Sequence, residues 1–136
     1  HYAVQAMRPG ARVWSTDVCV PISQLTELVR ITHEDVQRAS FFIATVGHVG
    51  DGNFHLGLCI DPESPAELAE AEAINTRLVE RAIALDGTST GEHGIGTGKR
   101  KFMVREHGGA VAVMRAIKRA LDPDTILNPG KVLPDA

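Results

Sequence analysis

Two apolar, β-rich runs, FFIATVG (residues 41–47) and NFHLGLCI (residues 53–60), flank the glycine-rich stretch that joins them. This pattern commits the middle of the chain to an antiparallel hairpin. Asp51-Gly52 is a favoured central pair for a two-residue turn. With that turn, Gly50 pairs with Asn53, Val49 with Phe54 and His48 with His55. Directly opposite residues share a face of the sheet, with Cβ atoms about 5 Å apart. A hairpin turn has no need of His at both shoulders, yet this one carries His48 and His55. Two imidazoles at that separation can converge on one metal ion, or they can simply pack as a stacked, hydrogen-bonded pair.

The flanking segments supply the other elements. Residues 12–20, RVWSTDVCV, alternate and are rich in β-branched and aromatic types, which predicts a strand ended by Pro21. A helix then runs to about Ser40, with Ser23 as N-cap and Ile22, Leu25, Val29, Val36 and Ala39 at helical spacing. Ser64-Pro65-Ala66-Glu67 is a helix start with N-cap, first-position Pro and capping-box Glu. Leu68, Ala71, Ile74 or Asn75, Leu78, Ala82 and Leu85 form one apolar stripe, and Gly87 is placed to stop the helix. After the glycine-rich stretch 87–101, the pattern predicts a short helix over 100–106. A second helix follows from Ala110 to Leu121, with Val113 or Met114, Ile117 and Leu121 facing inward. The Pro-punctuated tail DPDTILNPGKVLP should lie extended on the surface. Strands and helices in this order imply an α+β fold: a ferredoxin-like antiparallel sheet with helices on one face, followed by a C-terminal helical segment.

Composition narrows the functional classes. A net charge of −3 over 136 residues, with only Lys99, Arg100 and Lys101 clustered, argues against a nucleic-acid partner. That trio reads as a solvated helix start. No apolar run approaches the roughly 20 residues of a membrane span, and no signal peptide opens the chain. Cys19 and Cys59 sit among apolar residues and read as buried thiols in a reducing compartment, with their separation, and so a disulfide between them, left open. The chain starts at His1 without Met and reads as a fragment of something longer.

The stretch GEHGIG, residues 91–96, adds Glu92 to the two histidines. Two His and one carboxylate make a partial coordination set that leaves room for water or substrate. In extended backbone, adjacent residues point oppositely. His93 is therefore better read as a base beside a metal-bound group than as a further ligand. A phosphate loop is a poor match: it would require Gly at position 93 and Ser or Thr at position 100, where this chain has His93 and Arg100.

Three segments, WSTDVCVP, GHVGDGNFHLGL with GTSTGEHGIGTGKR, and LDPDTILNPGKVLP, resemble the C-terminal domain of the FAD-linked 2-hydroxyacid oxidoreductases. That family includes the glycolate oxidase flavin subunit, cytochrome-linked D-lactate dehydrogenase and D-2-hydroxyglutarate dehydrogenase. The resemblance covers nearly the whole chain. It implies that residues 1–136 are a C-terminal substrate and metal domain, with an FAD-binding domain of the vanillyl-alcohol-oxidase type absent. It implies that His48, His55 and Glu92 are ligands of a divalent metal and that His93 is the base. It also implies that Asn128 and Lys131, in NPGK, belong to a tail returning towards the flavin. Where the hydroxyglutarate branch has a Lys that helps hold the distal carboxylate, this chain has Ser15. That departure favours a small substrate such as lactate or glycolate.

The implied cofactors are FAD, held mainly by the absent domain, and Zn, Mn or Fe, among which affinity order does not choose. The implied partners are a small 2-hydroxy acid, the FAD-binding domain and a downstream electron acceptor. Apolar surface left by the absent domain could drive a homodimer. The expected location is cytoplasmic, with peripheral attachment to the inner membrane compatible with it. The alternative is a non-catalytic ferredoxin-like module whose metal is structural. A closed site with four protein ligands would favour that alternative.

Overall fold

A computed structural model describes residues 5–135, and the chain divides after Glu92 into two compact units. The first unit holds β1 (Arg12–Ser15), β2 (Val18–Cys19), α1 (Ile22–Arg38), β3 (Ile43–Val46), β4 (Asn53–Ile60) and α2 (Pro65–Ala84). This is the expected α+β arrangement. β1 pairs antiparallel with β4 from Arg12 opposite Ile60 to Ser15 opposite Gly57, and β2 continues the same register with Val18 opposite Phe54. The single strand expected over 12–20 is therefore present but interrupted at Thr16 and Asp17. β3 also pairs antiparallel with β4, from Ile43 opposite Leu58 to Val46 opposite His55. Thr88 adds an isolated bridge to Cys19.

Every residue of β4 is buried. Its side chains alternate between the two faces of the sheet. Phe54, Leu56, Leu58 and Ile60 share one face, and Phe54 lines a cleft with Leu25 and Val29 of α1. α1 packs against α2, and α2 against β2 and β4. Asn53, His55, Gly57 and Cys59 lie on the opposite face. Neither Cys59 nor Cys19 is in a disulfide. They face rungs six positions apart on β4, about 20 Å at 3.3–3.4 Å per residue, well outside disulfide reach.

The helices depart from expectation in detail. α1 begins at Ile22 with Pro21 as its N-cap residue, so Ser23 lies inside the helix and caps nothing. Its buried stripe is Leu25, Leu28 and Thr32, while Ile22 and Val29 are exposed. In α2 the cap is as read: Ser64 Oγ accepts from Glu67 N at 3.3 Å, with Pro65 following. The reciprocal half of the box goes elsewhere. Glu67 Oε2 accepts from Asp61 N at 2.7 Å, and both its oxygens bind the Arg8 guanidinium at 2.8 and 3.0 Å. Those bonds, the Arg8 pair foremost, hold the Glu67 carboxyl below its ordinary range. At the C-terminal end Asp86, not Gly87, takes the left-handed conformation. Gly87 is required for another reason: a Cβ there would lie 2.3 Å from Cys19 O. Asp35 of α1 is bound by Arg77 and Arg81 of α2. Burial raises its pKa, but the two arginine hydrogen bonds outweigh that and leave it lowered.

The second unit contains a 3-10 turn at Arg100–Phe102, α3 (Met103–His107) and α4 (Ala110–Leu121). It buries Phe102, Met103 and Val111. Val113, Ile117 and Leu121, expected inward, are 55–77% exposed. The tail is coiled where an extended run was expected. Asp122 Oδ1 accepts from Ile126 N at 2.9 Å and Oδ2 from Leu127 N at 3.1 Å, and Thr125, Asn128 and Val132 all have positive φ. Lys118 completes the knot by binding Asp122 and donating to Leu127 O at 2.6 Å. Among the described residues no helix is long and apolar enough to cross a membrane.

Candidate metal centre

His48, His55 and Glu92 converge, by a route that differs from the hairpin expected. The turn is not the two-residue Asp51-Gly52 type. Val49–Asp51 forms a 3-10 turn, and Gly52 closes it in the left-handed conformation at φ 72. β3 ends at Val46, which is the residue opposite His55, so His48 is not its cross-strand partner. His48 instead opens the turn, with its carbonyl accepting from Asp51 N at 2.9 Å and Asn53 N at 3.3 Å. Two glycines permit this path. A Cβ on Gly47 would sit 2.4 Å from Asn53 O, and one on Gly52 would sit 2.0 Å from Val20 O. The histidine rings meet edge to face with centroids 6.2 Å apart.

His55 is 6% exposed. Its Nδ1 lies 2.9 Å from Thr16 O. A carbonyl oxygen only accepts, so Nδ1 carries a proton, and Nε2 is the nitrogen whose lone pair a cation seated between it and Glu92 would take. Nε2 lies 3.1 Å from Glu92 Oε1. His48 Nε2 lies 3.8 Å from the same oxygen, and the three ligand atoms all fall within 4.8 Å of one another. Zinc bonds of about 2.0–2.1 Å place tetrahedral ligand atoms roughly 3.3–3.4 Å apart. Two spacings bracket that value and the third lies within 4.8 Å, so the three donors fit a divalent cation with Nε2 as the ligand atom of His55. His48 and Glu92 have side chains 64% and 47% exposed, which leaves the cage open on one side.

Glu92 is held by its backbone. Asp17, 1% exposed, sits on the rung of His55 and accepts from Gly91 N at 2.9 Å, Glu92 N at 3.1 Å and Thr90 Oγ1 at 2.9 Å. Asn53 Nδ2 donates to the same carboxylate at 3.0 Å and to Val18 O at 3.3 Å. Sequence reasoning overlooked Asp17, Thr16 and Asn53. The only signal was a buried-strand pattern containing an acid, which reads equally well as an exposed residue of an alternating strand.

The remaining residues singled out belong to the second unit. His93 is its first residue and is exposed. Asn128 and Lys131 are exposed on the coiled tail, lining a groove beside α4 with Ile117, Leu121 and Leu127. Two of the basic trio are engaged locally: Arg100 Nε donates to Leu133 O at 2.7 Å, and Lys101 lies over the Phe102 ring at 4.9 Å.

Relatives share this chain almost from end to end. A protein of Danio rerio named "Probable D-lactate dehydrogenase, mitochondrial" is 47% identical over 133 residues, covering 97% of this chain and 27% of its own length. The "D-lactate dehydrogenase [cytochrome], mitochondrial" of Arabidopsis thaliana is 45% identical over 134 residues, covering 98% of this chain and 24% of its own length. Glycolate oxidase subunit GlcD of Bacillus subtilis is 36% identical over 119 residues, covering 85% of this chain and 25% of its own length. The chain thus spans about a quarter of the length of these relatives. The family model described as "FAD linked oxidases, C-terminal domain" matches residues 1–132, and the chain belongs to that family.

Proposed function

We propose that this chain is the substrate- and metal-holding part of an FAD-dependent dehydrogenase. The enzyme would oxidise a small D-2-hydroxy acid of the lactate or glycolate type to the 2-oxo acid. The observation that carries the reading is the three-residue cage of His48, His55 and Glu92 with one open side. Among the described residues no fourth His, Cys, Asp or Glu joins the group, which favours a working site over the closed structural metal of a binding module. When bound, a divalent cation would stabilise negative charge on the substrate hydroxyl oxygen, and FAD would accept the hydride.

The chain's own residues do the rest. His48, His55 and Glu92 hold the cation and so fix the position of the acid. His93, directly after Glu92 in the chain, takes the hydroxyl proton, a role suited to an imidazole at neutral pH. Ser15, opposite Gly57 and thus on the His55 face of the sheet, offers no charge to a second carboxylate, which supports a small monocarboxylate. Asn128 and Lys131 are proposed to meet the flavin. Electrons would pass on to a downstream acceptor. The proposed setting is cytoplasmic, with the acceptor reached at the inner membrane.

The test is turnover of D-lactate and glycolate by the full-length protein. Chelation and His55→Ala should each abolish it, and added Mn2+ or Zn2+ should restore the chelated wild type. Unchanged turnover in His55→Ala rejects the metal role. Activity retained in Glu92→Ala but lost in His55→Ala reduces Glu92 to a loop residue.

A further inference from the structure

The break in the edge strand at Thr16 and Asp17 is where the sheet and the cage meet. In a regular antiparallel ladder a hydrogen-bonded pair exchanges two backbone bonds. Thr16 and Leu56 exchange one: Thr16 N donates to Leu56 O at 2.9 Å. The return bond is diverted, because Leu56 N donates to Thr16 Oγ1 at 2.8 Å. The Thr16 carbonyl thereby released accepts from His55 Nδ1 at 2.9 Å. One residue on, Asp17 turns its carboxylate onto the loop that carries Glu92. Two ligands distant in sequence are thus set by two adjacent residues.

We propose that Thr16 and Asp17 are positioning residues: Thr16 fixes the His55 imidazole with Nε2 facing Glu92, and Asp17 anchors the backbone from which Glu92 reaches it. The inference rests on reading His48, His55 and Glu92 as metal ligands, and it names residues that touch neither metal nor substrate. The chemistry is specific to these side chains. Valine matches the shape of threonine but lacks the oxygen that satisfies Leu56 N, so in Thr16→Val that N–H competes for the carbonyl that holds His55. Serine keeps the oxygen. At position 17 the carboxylate accepts from Asn53 Nδ2, Thr90 Oγ1, Gly91 N and Glu92 N. Asparagine has the same outline, yet it turns an NH2 against those donors.

The experiment uses the full-length protein carrying isotope-labelled histidine, first metal-free. NMR reads the tautomer of each ring, and His55→Gln identifies the His55 signals. The wild type and Thr16→Ser should show His55 protonated at Nδ1, and Thr16→Val should show a measurable fraction with Nδ1 unprotonated. Calorimetric titration with Mn2+ and then Zn2+ should find affinity reduced about 10- to 100-fold in Thr16→Val and Asp17→Asn, the usual effect of losing a group behind a ligand. Thr16→Ser should stay close to wild type. Circular dichroism establishes that each variant is folded. A wild-type His55 in the Nε2–H tautomer overturns the proposal. So does wild-type metal affinity in folded Thr16→Val and Asp17→Asn, even with a lower Tm, because the two residues would then be merely structural. A wild type that binds neither metal, but whose tautomer responds as described, removes the metal reading and leaves the hold of Thr16 on His55 standing.

Discussion

Gly91→Ala should be among the most damaging single-methyl additions in this chain. Gly91 has no positive φ, so conformation is not the reason. Its absent side chain is. A Cβ there would lie 2.0 Å from Asn53 Nδ2 and 2.9 Å from Asp17 Oδ1, both buried. The amide cannot retreat without giving up its bonds to Asp17 and to Val18 O. Each buried group left unpaired costs about 1–3 kcal/mol. Overpacking adds about 1–3 kcal/mol more. A total of about 3–5 kcal/mol corresponds to a fall in Tm on the order of 15 °C for a domain of this size. Two nearby glycines serve as controls. Gly94 has open space around it but φ +80, so Gly94→Ala should cost only about 1–2 kcal/mol for a left-handed alanine. Gly98 has neither a neighbour within 4 Å nor a positive φ, and Gly98→Ala should stay within about 0.5 kcal/mol of wild type. Differential scanning calorimetry on the three variants gives the ranking. Equal melting of Gly91→Ala and Gly98→Ala would refute the close-approach argument and, with it, the anchoring of the Glu92 loop on Asp17.

Asp35→Asn should lower stability to urea at neutral pH, because Arg77 and Arg81 lose their carboxylate. Since the folded pKa of Asp35 lies below its ordinary value, its contribution is complete above the unfolded pKa near 3.9 and fades as pH falls through the folded value. The gap between wild type and variant, measured by urea titration, should therefore close below about pH 4; a gap independent of pH would mean the pair is not the cause. Ser64→Ala should cost about 1 kcal/mol of α2 stability, read from urea midpoints at unchanged slope. Asp122→Ala should release residues 125–127 to fast amide exchange while leaving β4 protected. The carboxyl of Asp122 is held below its ordinary range, first by Lys118. The same loosening should therefore appear in the wild type only on acidification through that lowered value.

The elements whose signal is local were legible in the sequence. Ser64-Pro65 names a helix start because the cap and the fixed φ act within one turn, and β4 is a strand because eight residues of that composition have no other stable use. The convergence of His48, His55 and Glu92 was also legible, but the geometry offered for it was wrong. The two-residue turn assumed that Asp51-Gly52 governs the hairpin, whereas close approaches at Gly47 and Gly52 decide the path. Those approaches are to Asn53 O and Val20 O, contacts that exist only once the neighbouring strand is in place. The inward face of α4 and the extended tail were misread for a similar reason. Three ligands for one carboxylate, Lys118, Ile126 N and Leu127 N, gather at Asp122 only through folding.

The strand break carries the deepest part of this contrast. Alternation in residues 12–20 is satisfied equally by a continuous strand and by one in which Thr16 lends its hydroxyl to the ladder. Hydrogen-bond accounting separates them. In the continuous strand Leu56 N would take the Thr16 carbonyl, and His55 Nδ1, buried on the opposite face, would need another acceptor. In the observed arrangement the ladder position loses nothing, since Leu56 N keeps a 2.8 Å bond, and the imidazole gains an acceptor for Nδ1–H. A hydroxyl is the smallest group that makes this exchange, which is why a threonine in mid-strand, unremarked by any pattern of hydrophobicity, can decide which nitrogen of a histidine thirty-nine residues away faces Glu92.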